Sequence, residues 1–377
     1  MRRWLEIQRH YLDFTLSSLL RRKRKNGALL AVYTLVIFMV ASVLFFTHAI
    51  RNEAESILQE APEMIVQRTV AGRHDLVPLY YAEAIETIQG VRSVKPRLWG
   101  YYYHPASRSN YTIMVPDDFP YEDGMIEVGQ GVVRTWGTVK DDQLYLRTYD
   151  GEVLILTIAG IIATSTELVS SDLILTSEPT FRKLTGIAEG FATDLGVEIS
   201  NLKECSTIAQ KIVTRLPDSR PILKEEILRT YAALFDWRSG YIIVMLAGAV
   251  LAFFIFAWDK ATGLSAEEKT EIGILKALGW DTSDILLMKF WEGTAISLTA
   301  FLLGVIGAYL HVFFASAPLF EHALKGWAVL YPKFNLNPTV NIYTLANLFF
   351  LTVLPYTLVT MIPSWKVSVT DPDTVMR

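Results

Sequence analysis

Few residues of this chain are arranged for bond-making chemistry. The histidines His10, His48, His74, His104, His311 and His322 are scattered, with no pair at metal-ligand spacing and no cysteine nearby, so no metal site is expected. Cys205 is the only cysteine, which rules out a disulfide within the chain, and Lys203-Glu204 before it are not the small apolar residues of a lipidation site. Asp117, Asp118, Glu122 and Asp123 cluster without the alternating ligand spacing of a calcium loop and read as a solvated turn. No Gly-x-Ser-x-Gly elbow or His-Glu-x-x-His run supplies a nucleophile or a zinc site. No Gly-x-x-x-x-Gly-Lys-Ser/Thr loop is present to cradle phosphates. An enzyme is not expected, nor a cofactor bound by this chain.

The stretch that stands out is Glu271-Ile272-Gly273-Ile274-Leu275-Lys276-Ala277-Leu278-Gly279, in a charged loop between apolar runs. Good helix formers, including Ala266, Glu267, Glu268 and Leu275, predict a helix over 265–279 with a glycine stop, and a second start at 281–289. At about 100° per residue Lys269 and Lys276 fall on one side, while Glu267 and Glu271 share an arc with Ile274 and Leu278. Two readings fit that arc. One is a surface covered by another protein, with carboxylates at the rim and aliphatics in the socket. The other is an interfacial helix between two spans, stabilised by lipid.

Hydropathy places this loop. Residues 27–50 are uncharged, long enough to cross the hydrocarbon core and too long for a signal peptide, and further spans are expected at 238–258, 291–317 and 342–362. Eight Lys or Arg in the first 25 residues put that end in the cytoplasm, and four spans bring the C-terminus to the same side. The expected layout is a cytoplasmic segment 1–26, an extracytoplasmic domain 51–237, a cytoplasmic coupling loop 259–290, an outer loop 318–341 and a cytoplasmic tail 363–377. The fold class is thus a membrane α-helical bundle of four transmembrane helices with a large α+β extracytoplasmic domain inserted between helices 1 and 2. A composition of 51% hydrophobic and 20% charged residues suits that division. A net charge of −4 gives no basic excess to track a phosphate backbone, so nucleic acid is not an expected partner.

Within 51–237 the pattern alternates strand and helix. Strands are expected at 63–70, 91–103, 111–115 and 192–200, helices at 78–89, 204–216 and 224–237, and a hairpin of 143–148 with 152–162 around Asp150-Gly151. Ser177-Glu178-Pro179 reads as a helix start, with Gly186 as its stop. Residues 51–59 continue the first span as helix. Tyr101-Tyr102-Tyr103-His104 puts aromatics on both faces of a strand, as core or as a partner-binding edge. In the membrane, Ala300, Gly304 and Ala308 form a small-residue stripe suited to close helix packing within the bundle or to a subunit contact, Gly240 and Gly248 offer a comparable face, and Pro355 should bend its span.

Glu271 to Gly279, followed by Asp284-Ile285 and Glu292-Gly293, resembles the hallmark of FtsX-like permeases, the membrane subunits of MacB-type (type VII) ABC transporters. Ser18-Leu19-Leu20-Arg21-Arg22-Lys23 resembles the family's N-terminal motif, and Ile362-Pro363-Ser364-Trp365-Lys366 with Asp371-Pro372 its closing one. In layout, and in short passages at 90–98 and 159–164, the chain is similar to lipoprotein-release permeases, and it departs from the family at Trp280, where a small residue is common. The resemblance implies a multi-pass protein of the cell (inner) membrane that pairs with a second permease copy or paralogue. It implies a cytoplasmic ABC ATPase partner that holds the ATP-Mg, and ATPase coupling through Glu267, Glu271, Ile272, Gly273, Ile274, Lys276, Leu278 and Gly279. Dimerisation is expected through spans one and two, with Gly240 and Gly248 favoured. Three functions stay open, with an extracytoplasmic protein or lipoprotein among the candidate partners: export or release of a lipidated or hydrophobic cargo, mechanical activation of an extracytoplasmic hydrolase or sensor, or membrane-anchored binding without energy coupling.

Overall fold

The computed structural model describes residues 2–59, 61–162, 167, 170–230, 266–320, 330 and 336–369. By contacts the chain divides into one unit of Met1–Ala49, Asp236–Ala317 and Asn337–Arg377, and a second of Ile50–Phe235 and Pro318–Leu336. In chain order the elements are α1 (Arg2–Arg21), α2 (Lys23–Gln59), β1 (Met64–Val70), β2 (Arg73–Asp75), β3 (Val77–Pro78), α3 (Tyr80–Glu86), β4 (Val91–Arg97), β5 (Trp99–His104) and β6 (Ser109–Met114). There follow β7 (Met125–Val128), α4 (Gln130–Trp136), β8 (Gln143–Arg147), β9 (Val153–Ile161), β10 (Leu173–Thr176), α5 (Glu178–Thr185), β11 (Phe191–Ala192), β12 (Asp194–Ile199), α6 (Cys205–Arg215) and β13 (Ser219–Leu223). The last are α7 (Ala266–Ala277), α8 (Thr282–Tyr309) and α9 (Ile342–Val369).

Among the described residues three helical stretches are long and apolar enough to cross a membrane: Lys23–Ile57, Thr282–Phe314 and Ile342–Val369. The span expected at 238–258, with Gly240 and Gly248, lies outside the described residues. As expected, α2 continues as helix to Gln59, whereas α9 passes through Pro363 to Val369 instead of ending at 362. Small residues bring α8 against its neighbours. A Cβ on Gly304 would lie 2.7 Å from the Ile37 side chain and 3.0 Å from the Thr34 carbonyl, and one on Gly293 would lie 2.7 Å from Thr360 Oγ1. Ala300 and Ala308 are fully buried, so the stripe serves close packing inside this bundle. Beside Pro355, whose ring cannot donate to the helix ladder, the Tyr33 hydroxyl donates to the Thr352 carbonyl at 2.5 Å and Thr357 Oγ1 to the Val353 carbonyl at 2.9 Å. Tyr33 also stacks on Tyr356 at 5.2 Å.

The second unit is α+β, with two main sheets. An antiparallel sheet has the order β13-β1-β12-β4, with β2 added to β1. Met64, Val66, Leu195 and Val197 from its strands, Ile85 from α3 and Ile208 and Ile212 from α6 share one core. A six-stranded mixed sheet has the order β5-β6-β10-β7-β9-β8, with β10–β6 and β7–β9 parallel. Its core gathers Tyr111, Ile113, Ile126, Leu144, Leu146, Leu156, Ile158, Ile174 and, from α5, Phe181. Alternation sets the faces: on β8, Leu144 and Leu146 are buried while Gln143, Tyr145 and Arg147 point out.

The Asp150-Gly151 hairpin forms, with Gly151 at φ +93°, a region that favours glycine. Helix α5 ends at Gly186 (φ +76°), but the Ser177 hydroxyl donates to Asp123 at 2.6 Å and contributes no cap bond to the helix. The expected strand 91–103 is two strands in two sheets, joined through Leu98. Asp194, 1% exposed, fixes that joint: it accepts two bonds from Arg97 at 2.6 and 2.8 Å and one from Trp99 Nε1 at 3.0 Å.

Removing this carboxylate takes the charge-assisted bonds from Arg97 and Trp99 with it, so Asp194→Ala is expected to destabilise the unit by about 1.5–3 kcal/mol. Amide exchange of β4 and β12 in the full-length protein should accelerate accordingly, and unchanged protection would contradict the assignment. At Asp218, the Tyr81 hydroxyl and the Arg68 guanidinium donate to the carboxylate and hold it below its ordinary 3.8. A carboxyl whose pKa is lowered by folding stabilises the fold above its unfolded pKa and loses that contribution as pH falls through the folded value. Protection of β1 and β13 should therefore drop in acid below that ordinary value, and Asp218→Asn should flatten the dependence.

Candidate functional site

The helix picked out from sequence, α7, closes in a tight C-terminal motif. Gly279 adopts φ +92°, its N–H donates to the Lys276 carbonyl at 3.0 Å, and the Trp280 N–H reaches back to the Leu275 carbonyl at 3.1 Å. Two residues after Gly279, Asp281 caps α8 in a reciprocal box with Asp284. The link between the helices is thus short and doubly pinned. Trp280 fills the corner, packing on Tyr11 at 5.8 Å and Phe14 at 5.6 Å, both from α1. The Tyr11 hydroxyl donates to Asp284 at 2.6 Å, and burial, then that hydrogen bond, push it up to about 12, so it stays a proton donor across the physiological range.

The inward side of α7 meets the bend between α1 and α2. Glu268, Ile272 and Leu275 are buried along one stripe. Glu268, its side chain 10% exposed, pairs with Arg22 at 3.0 Å and Lys25 at 3.6 Å. Glu271 pairs with Arg22 at 2.7 Å and Arg21 at 3.3 Å, and Ser18 lies within 3.5 Å of it. Arg22, the one residue between α1 and α2, bridges both carboxylates, which lie three residues apart on the same helix face. Charges this enclosed are stable only in each other's company.

The structure divides the expected site residues. Glu271, Ile272 and Gly273 turn inward, and Lys276 is half-buried. Ile274, 49% exposed, Leu278, 72% exposed, and Gly279 lie on the open side. Glu267 lies in the first turn of α7, its side chain outside the described residues. The acidic and aliphatic parts of the arc therefore do different things: the acids hold α7 to its own chain, and Ile274 and Leu278 are left available. Sequence reading missed Arg21, Arg22 and Lys25 as partners because membrane topology already accounted for their charge. The signal was the pair Glu268 and Glu271, a carboxylate doublet on one helix face facing a basic cluster elsewhere. Trp280, noted as a departure from the family, is the wedge on α1.

Three helices long and apolar enough to cross a membrane among the described residues, joined in one chain to an α+β unit and accompanied by a short helix with a partly open face, mark a membrane protein. Residues 239–372 match the family model described as FtsX-like permease C-terminal. No match is found among curated proteins. Among solved structures, the periplasmic region of MacB from Actinobacillus actinomycetemcomitans is similar at 8% identity over 45% of this chain and 92% of that one, with a TM-score of 0.31. The extracellular domain of the noncanonic ABC-type transporter YknZ from Gram-positive bacteria is similar at 6% identity over 42% of this chain and 98% of that one, with a TM-score of 0.28. At such scores the role of the α+β unit must be argued from its own residues.

Arg22→Glu and Glu271→Arg should each loosen α7, and the double reversal should recover part of the loss. A double-mutant cycle on thermal stability in detergent should give a coupling of about 0.5–3 kcal/mol. Strict additivity would show that the pair is not coupled.

Proposed function

We propose that this chain is the permease subunit of an ABC transporter, driven by a separate cytoplasmic ATPase subunit that binds ATP-Mg and docks on the open side of α7. Motion delivered to α7 passes to the α1–α2 bend through Glu268 and Glu271, and then along α2. The observation that carries this reading is the ionic clamp at the foot of an unbroken helix: α2 runs 37 residues from Lys23 to Gln59. That is roughly 55 Å of stiff rod at 1.5 Å per residue. The FtsX-like domain over 239–372 supports it. Both termini lie in the cytoplasm under this reading, the α+β unit lies outside, and a second copy or paralogue of the permease completes the assembly with Gly240 and Gly248 at the contact. The outer unit then acts on a lipidated or hydrophobic cargo to be exported or released.

A second reading, in which the same motion activates an extracytoplasmic hydrolase or sensor, draws on the exposed Tyr101 and Tyr103 of β5, which suit a protein partner better than a lipid chain.

Purification of the tagged chain from its native membranes in mild detergent, followed by mass spectrometry, is expected to recover an ABC ATPase subunit. Leu278→Asp should deplete that subunit at least tenfold while leaving the permease folded. Recovery of the chain alone, or full retention of the ATPase by Leu278→Asp, would contradict the proposal.

A further inference from the structure

The β5 edge of the six-stranded sheet differs from the edges of the antiparallel sheet. Among the antiparallel strands, edge strand β4 carries Arg92, Lys95 and Pro96, and edge strand β13 carries Arg220 and Pro221, the charges and prolines that discourage pairing with another chain. Edge strand β5, Trp-Gly-Tyr-Tyr-Tyr-His, has no proline, lysine, arginine or acid. Its outward side chains Tyr101 and Tyr103 are 76% and 56% exposed.

The ladder shows which of its main-chain groups are free. The Val115 N–H donates to the Leu98 carbonyl at 2.9 Å, and the β5–β6 register then directs Gly100, Tyr102 and His104 toward β6 and Trp99, Tyr101 and Tyr103 away from it. Thr193 Oγ1 occupies both main-chain groups of Trp99, at 3.1 Å from the nitrogen and 2.7 Å from the carbonyl oxygen. The N–H and C=O of Tyr101 and Tyr103 have no such partner among the described residues. Beside them opens a cleft of ≈ 320 Å³ lined by Gly100 to Tyr102, Arg147 to Tyr149 and the end of α5. Tyr102 spans it from β5, its hydroxyl accepting from the Arg147 N–H at 2.7 Å. The guanidinium of Arg147 is exposed and makes no ion pair among the described residues.

We infer that the outward edge of β5 and this cleft form a strand-addition site for an extended, acidic polypeptide segment. Two N–H donors and two carbonyl acceptors in alternating register are complemented by the main chain of a strand. The tyrosines supply flanking contact area, and the unpaired Arg147 calls for a carboxylate on the incoming segment. That this polypeptide lies outside the cell rests on the topology proposed above; the pairing itself does not, and it is measured without any ATPase.

The test pans a displayed library of random ten-residue peptides against the full-length protein in nanodiscs, then measures affinities of enriched peptides. Tyr101→Pro removes an outward N–H that the β5–β6 ladder does not use, and Arg147→Glu reverses the charge; unchanged amide exchange in β6 and β10 verifies the fold of each. Expected are enriched peptides bearing Asp or Glu, whose affinity falls at least tenfold in both variants and on N-methylation of alternate peptide nitrogens. Absence of enrichment, equal binding to both variants, or equal binding of lysine-bearing versions would overturn the inference. So would concentration-dependent self-association lost in Tyr101→Pro without peptide binding, which would assign the edge to a second copy of this chain.

Discussion

The membrane unit depends on one electrostatic arrangement: two carboxylates of α7, Glu268 and Glu271, held by Arg21, Arg22 and Lys25 at the bend between α1 and α2. Neither side is comfortable alone. Glu268 is nearly enclosed and would carry a large desolvation penalty without its cations, while Arg22 sits in the bend itself and would leave two helix ends without a common anchor. Trp280, Tyr11 and Asp284 secure the other end of the same corner with apolar contact and a hydrogen bond that does not titrate near neutrality. Polar and apolar fastenings thus hold α7 to α1 from both ends and leave Ile274 and Leu278 uncovered.

Under the proposed function this arrangement makes a lever of a short connector. A helix attached only by lipid could tilt without consequence for the rest of the chain. One that shares a partly buried ion cluster with the foot of α2 moves only by moving that foot or by breaking the cluster, which leaves Glu268 enclosed without its cations. In the bundle above, the close approach of α8 to α2 at Gly304 and the Tyr33 bond to Thr352 add two further points of registration, so α2, α8 and α9 are positioned by small residues and by hydrogen bonds inside a medium that offers none.

Features governed by local chemistry were legible in the sequence. The Asp150-Gly151 hairpin, the Pro179 start and Gly186 stop of α5, and the Gly279 end of α7 all depend on residues within a few positions of each other. The clamp was not legible, because Arg22 and Glu271 are 249 residues apart and each charge had a local explanation of its own. Helical-wheel reading also treated the acids and aliphatics of α7 as one surface, since it cannot tell which part of an arc meets another helix. In the α+β unit the short central strands β7 and β10 escaped notice: four residues each give too few alternations to register, and their parallel pairing with β9 and β6 is decided by packing across the sheet.

Under the proposed function α7 and α2 move as one body. Spin labels at Lys269→Cys and Leu35→Cys, with Cys205 replaced by serine, would report the distance between them in membranes with the proposed ATPase subunit present. The distance is expected to stay the same between nucleotide-free and ATP-bound states, and to become variable once Glu268 and Glu271 are replaced by alanine. A distance that changes with nucleotide while both glutamates are in place would contradict it.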